Sequence, residues 1–154
     1  MKEIIIASRE SVQPRTVSRH EPFAFSVHDL SEEDDQQAEV AIYVLSPGKS
    51  NYPYHYHMAN EEIFYIISGE GILLTPDGER SVHRGEVLIF PPGERGAHRL
   101  TNASEEEDLV YLDVDVTHMP DVAFYPHSGK VGIWSKDFSG VYRADAKVPY
   151  YEGE

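Results

Sequence analysis

The feature that most constrains this chain is its punctuation. Short apolar runs rich in β-branched and aromatic residues recur at intervals of roughly eight to twelve residues, separated by glycine and proline turns. Residues 39–45 (EVAIYVL) read as a strand buried on one or both faces, turned by Ser46-Pro47-Gly48. Residues 62–67, 72–74, 87–90 and 109–116 continue the series. Thr75-Pro76-Asp77-Gly78 closes one run with a turn in which proline fixes φ and glycine supplies a positive φ. No segment sustains a helical period. The pattern predicts an all-β sandwich or barrel of the jelly-roll type with little helix. No internal repeat is visible, so one barrel is expected rather than two.

The chain divides into three stretches. Residues 1–30 read as an extended N-terminal arm, with a short strand over 21–30 where Phe23, Phe25 and Val27 alternate. His28, near its end, reads as a hydrogen-bonding or surface residue. Residues 31–117 carry the regular strand pattern and form the expected barrel core. Residues 118–154 look irregular, interrupted by Pro120, Pro126, Gly129, Gly132, Gly140 and Pro149. That segment also holds Trp134, Phe138, Tyr142, Tyr150 and Tyr151, so it is expected to pack on the outside of the barrel or on a partner subunit.

Composition excludes several function classes. At 154 residues the chain is expected to form one domain. A net charge of −14 repels a phosphate backbone, which argues against nucleic-acid binding. The runs Glu32-Glu33-Asp34-Asp35 and Glu105-Glu106-Glu107-Asp108 read as solvated loops. With no cysteine, neither a disulfide nor a thiol nucleophile is available. The apolar stretch Ile4-Ile5-Ile6 is too short for a signal peptide, and no run reaches the ~20 apolar residues of a membrane helix. A cytoplasmic protein is the expectation.

Chemistry concentrates in two places. His55 and His57 stand two apart, so on a strand they share a face. Glu62 follows at the head of the apolar run 63–67. If Glu62 points inward, so do Phe64 and Ile66, while Glu61 points away. Glu61 is the alternative ligand, but the seven-residue step from Glu62 to Gly69 favours Glu62. Further on, Gly85 opens a short strand that ends at Pro91-Pro92-Gly93, and His98 and Asn102 follow. Imidazole nitrogens together with a carboxylate suit a divalent transition metal. His20, His83, His118 and His127 lack a companion at ligand spacing.

These two stretches resemble the motifs of the cupins. Gly48, His55, His57, Glu62 and Gly69 match the first motif, with one extra residue between Gly48 and His55. Gly85, Pro91, Gly93, His98 and Asn102 match the second, with two extra residues between Gly93 and His98. The resemblance implies a single-domain cupin barrel (the RmlC-like jelly roll) with His55, His57, Glu62 and His98 on one divalent ion, such as Fe, Mn, Ni or Zn. Residues 125–130 and the end at 150–154 look like a subgroup of cupins described as sugar-phosphate isomerases. Arg95 and Arg99, beside His98, are candidates to bind an anionic substrate group. Tyr52 is a further substrate-binding candidate. Glu61, Tyr65 and His83 are candidate general bases. The expected function is metal-dependent work on a small polar molecule, such as isomerisation or epimerisation of a sugar or sugar phosphate. Fe(II)-dependent oxygen chemistry and a non-enzymatic ligand-binding module are the alternatives. A homodimer is expected, without nucleic-acid or membrane partners.

Overall fold

Thirteen strands follow one another in the described chain: β1 (Arg15–His20), β2 (Phe23–Asp29), β3 (Ala38–Leu45), β4 (Tyr56–His57), β5 (Glu61–Ser68), β6 (Glu70–Thr75), β7 (Gly78–His83), β8 (Val87–Phe90), β9 (Arg99–Asn102), β10 (Leu109–Val116), β11 (Asp121–Tyr125), β12 (Lys130–Trp134) and β13 (Ser139–Arg143). The structure is a computed structural model that describes residues 4–31 and 37–154. Met1, Lys2 and Glu3 lie outside the described residues, as does the acidic run Glu32-Glu33-Asp34-Asp35 read from the sequence as a loop. The described residues contain one 3-10 turn, Glu94–Gly96, and no helix long and apolar enough to cross a membrane.

One wall of the barrel is a six-stranded sheet in the order β1-β2-β3-β10-β5-β8. The facing wall is built from β7-β6-β9 and β13-β12-β11-β4. Two antiparallel bridges, Ser50 with Thr101 and His55 with His98, join β9 to the segment that leads into β4. The bridges replace a continuous strand because Pro53 cannot donate to a ladder.

Alternation along β3, β10 and β5 gives the interior its layers. Tyr111 lies across from Tyr43 and Ile66. One step along, Asp113 lies across from Ala41 and Phe64, and a further step places Asp115 across from Glu39 and Glu62. The same inward face therefore runs from apolar at one end to acidic at the other. The apolar end is closed by Leu45, Ile66, Leu100 and Leu109, all fully buried. Burying each such side chain contributes roughly 1.5–3 kcal/mol. Tyr111 stacks on Tyr43 at 5.1 Å and tilts against Phe64 at 4.6 Å, which separates the apolar floor from the polar mouth.

Polar clasps hold the loops at the closed end. Asn102 Nδ2 donates to the carbonyls of Leu45 and Glu107, each at 2.8 Å, and its Oδ1 accepts from the Ser104 amide. Asn51 Nδ2 donates to the Tyr111 hydroxyl, and its Oδ1 accepts from the Leu100 amide. Gly69 turns β5 into β6 with φ +84°, and a Cβ there would meet the Asp108 carbonyl oxygen at 2.6 Å.

At the N-terminal side the short strand expected over 21–30 is present, and at the C-terminal side the structure is more regular than expected. Part of the expected arm over 1–30 forms β1 and β2, and β2 pairs with β3. Phe25 and Val27 on β2 enter the core, as their alternation allows. His28 is buried and its Nδ1 lies 3.0 Å from the Val12 carbonyl oxygen, in keeping with a hydrogen-bonding role. The segment over 118–154 is more regular than its glycines and prolines suggest. It forms the meander β11-β12-β13, and β11 pairs with β4 beside His57.

Candidate metal centre

Each histidine reaches the site by a different piece of local structure. His55 sits at the bridge to His98, and its Nδ1 donates to the Pro53 carbonyl at 2.8 Å. His98 repeats the device: its Nδ1 donates to the Gly96 carbonyl at 2.9 Å. The residues inserted after Gly93 form the 3-10 turn that presents this carbonyl. A Cβ on Gly96 would lie 1.9 Å from the Pro91 carbonyl oxygen, so only glycine fits. His57, on β4, has its Nδ1 hydrogen-bonded to Asp121 Oδ2 at the start of β11. The other Asp121 oxygen accepts from the Ala59 amide at 2.9 Å.

These partners fix the tautomers. A carbonyl or carboxylate oxygen only accepts, so each Nδ1 carries the proton and each Nε2 presents a lone pair. All three Nε2 atoms turn toward Glu62 Oε2, at 3.3 Å from His98, 3.8 Å from His57 and 3.9 Å from His55. Ligand atoms on one first-row divalent ion lie about 3 Å apart, because the metal–nitrogen and metal–oxygen bonds are about 2.0–2.2 Å long. His55, Glu62 and His98 form the tightest group, with ligand atoms within 4.8 Å of one another. His57 joins it through Glu62.

Three imidazole nitrogens and one carboxyl group face one another here, and no other side chain among the described residues brings a donor to them. His98 Nε2 is fully buried and has no hydrogen-bond partner among the described residues. Burial pushes the His98 imidazole well below its ordinary value, and His55 beside it adds to the shift. Burial likewise takes His55 down to about 4. Glu62 is pushed well up by burial and then by Asp115, Asp113 and Asp121. Asp121 is the exception: burial would raise it, but its hydrogen bonds from His57 and Ala59 prevail and lower it. A divalent cation among the three lone pairs supplies the missing positive charge and lets Glu62 ionise. The donor set thus fits a bound metal.

The ligand face opens on a cavity of about 520 Å³. Tyr43, Tyr52, Tyr125 and Trp134 line it, together with Asp113, Asp115 and Glu39. Tyr125 stacks on His55 at 5.7 Å, and the Tyr43 and Tyr52 hydroxyls are 3.1 Å apart.

The structure brings His55, His57, Glu62 and His98 together and sets Tyr52 on the cavity wall. It places the two arginine candidates elsewhere. Arg95 forms two hydrogen bonds to Asp77 on the surface, at 3.1 and 3.2 Å. Arg99 lines a separate hollow with Phe23, Pro53 and His127. None of Glu61, Tyr65 and His83 lines the cavity beside the candidate ligands. Asp121, Asp113 and Asp115 were missed by sequence reasoning. A signal existed for the last two: they alternate in the otherwise apolar strand LVYLDVDV.

A jelly-roll barrel carrying three histidines and a glutamate at its polar end defines a cupin. The Cupin domain family profile matches residues 41–115, from β3 to β10, so this stretch carries a cupin domain. No curated protein matches it significantly. Similar solved structures show the same fold. A candidate sugar phosphate isomerase from Acidithiobacillus ferrooxidans superposes with a TM-score of 0.81 at 21% identity, covering 94% of this chain and 96% of that one. A sugar phosphate isomerase of the cupin superfamily from Silicibacter pomeroyi gives 0.80 at 20% identity, covering 90% and 92%. The polyketide cyclase RemF from Streptomyces resistomycificus gives 0.60 at 22% identity, covering 79% and 83%.

Proposed function

We propose that this protein binds one divalent metal ion through His55, His57, Glu62 and His98 and acts on a small polar molecule in the adjoining cavity. The observation that carries the reading is the buried, unpartnered Nε2 of His98, aimed with two other Nε2 lone pairs at one carboxylate oxygen. Isomerisation or epimerisation of a hydroxy-carbonyl compound, sugars included, is the reaction class. The names of two structurally similar proteins support it, one from Acidithiobacillus ferrooxidans and one from Silicibacter pomeroyi. When bound, the metal supplies Lewis acidity to a coordinated carbonyl or hydroxyl oxygen. The chain's own part is to aim the ligands, through Pro53, Gly96 and Asp121, and to enclose the substrate between Tyr43, Tyr52, Tyr125 and Trp134.

The test is elemental analysis of protein purified without added metal, beside His57→Ala and Glu62→Gln. About one ion per chain in the native protein and a marked loss in both variants supports the reading. Equally little metal in all three removes it. If the ion is iron, oxygen uptake with candidate substrates separates oxygenase from isomerase chemistry. The homodimer expected from the sequence also stands as a proposal. The outward face of β5 and β8 exposes Tyr65, Val87 and Ile89 at 44%, 57% and 60%, and the mass in solution tests it.

A further inference from the structure

The acidic end of the barrel holds more carboxyl groups than a metal site needs. Glu39, Asp115 and Glu62 face one another across three neighbouring strands, and Asp113 stands one inward step away. Like charges directly opposite in a sheet are destabilising. Asp113 is only 6% exposed, and its Oδ1 has no hydrogen-bond partner among the described residues; nor has Asp115 Oδ1. Both residues line the metal cavity. A buried carboxylate oxygen without a donor is costly unless a guest supplies one.

The cavity offers little to an anion. Among the described residues its one basic lining residue besides the imidazoles is Arg15, whose Nη2 lies 3.5 Å from Asp29 Oδ2 at the rim. Arg95 and Arg99 lie outside it. Aromatic faces complete the wall at Tyr43, Tyr52, Tyr125 and Trp134. Carboxylates combined with aromatic faces are the chemistry that recognises an alkylammonium group. Even the first layer past the acids is tyrosine, whose hydroxyls leave the wall polar without adding positive charge.

We propose that the molecule taken by this cavity carries a protonated amino group, seated against Asp113, Asp115 and Glu39, and that a phosphate group is disfavoured there. This names the substrate class of the site proposed above. It rests on that reading for the metal, but the preference of the wall can be measured with or without the ion.

The probes are amino alcohols of two to five carbons, the diols of equal length, and the phosphate monoesters of those diols. Each is titrated calorimetrically into the full chain, with and without Mn(II), and metal content is measured on the same samples. At one or more lengths the amino alcohol binds at least about tenfold more tightly than its diol, and the phosphate monoester binds no more tightly than the diol. Asp113→Asn abolishes the amine preference while leaving metal content unchanged, and Glu39→Gln, at the exposed end of the row, weakens it independently. Equal affinity of amine and diol at every length overturns the proposal, as does no measurable binding of either or a preference for the phosphate. Two ions per chain, one of them lost in Asp113→Asn, would put an inorganic cation in the seat and overturn it too. An amine preference in protein that holds no metal sustains this inference while removing the metal reading.

Discussion

Asp121 offers the sharpest test of how the centre is held together. Its two oxygens each have one job: Oδ2 accepts from His57 Nδ1, and Oδ1 accepts from the Ala59 amide. Asparagine has a single acceptor oxygen, so Asp121→Asn satisfies one of these donors and turns its amide hydrogens toward the other. The fold keeps its shape, since volume and burial are unchanged, but the hold on His57 weakens either way: the amide faces its Nδ1 directly, or faces the Ala59 N–H and pulls the side chain off its seat. Losing such an outer partner weakens metal binding about 10–100-fold. A metal present at a hundred times its Kd stabilises the native state by about 2.7 kcal/mol. After a tenfold weakening the same concentration gives about 1.4 kcal/mol, and after a hundredfold about 0.4 kcal/mol. Denaturant unfolding with and without chelator reads that increment directly. A purely structural aspartate would lower both curves by the same amount and leave the gap intact. If Asp121→Asn keeps the native gap and the native Kd, then His57 is not held in place by Asp121 and the reasoning fails.

Other predictions follow from the same geometry. Glu62→Gln cuts metal content at least about tenfold, yet in chelator it is as stable as the native chain or more so, because an amide replaces a buried carboxyl pushed well up by its surroundings; a large loss of stability in chelator would contradict this. Gly96→Ala must move the Pro91 or Gly96 backbone, so it weakens metal binding as well as the fold, and a native metal Kd in the variant would count against the role given to the Gly96 carbonyl. Asn102→Ala strands the Leu45 and Glu107 carbonyls and the Ser104 amide, and costs about 2–4 kcal/mol in urea unfolding while leaving the metal Kd unchanged. Asp113→Asn raises stability in chelator, since it removes one member of the crowded carboxylate row; a lower midpoint would show that the row is compensated within the chain.

The convergence of the four candidate ligands was legible because it depends on local rules. Alternation on β5 puts Glu62 on the side of Phe64 and Ile66, and all three are buried. The glycine and proline turns marked the strand ends, and Thr75-Pro76-Asp77-Gly78 turns as read, with Gly78 at φ +109°. What escaped was non-local. No pattern within residues 118–154 announces that Asp121 lies against His57, because that contact depends on β11 pairing with β4 across a long stretch of chain. The glycines that suggested irregularity in this segment sit at a turn, Gly129, and within strands, Gly132 and Gly140, where a Cβ would strike Trp134 and Tyr142. Arg95 was judged by its nearness to His98 in sequence. The 3-10 turn carries it out to Asp77, so proximity along the chain misled. The acidic row was visible piecemeal in Glu39, Glu62, Asp113 and Asp115, but its alignment is a matter of register between strands far apart in sequence.

Two of the three imidazoles carry their own anchor two residues upstream, while the third borrows one from a segment near the chain's end. The arrangement divides the centre into an inherited part and an adjustable one. His98 keeps its aim whatever is appended to the barrel, and His55 meets the meander through the face of Tyr125 while its Nδ1 stays anchored at Pro53. His57 answers to the C-terminal meander, so under the proposed metal reading rewriting residues 118–143 retunes the grip on an ion without disturbing a strand of the six-stranded wall.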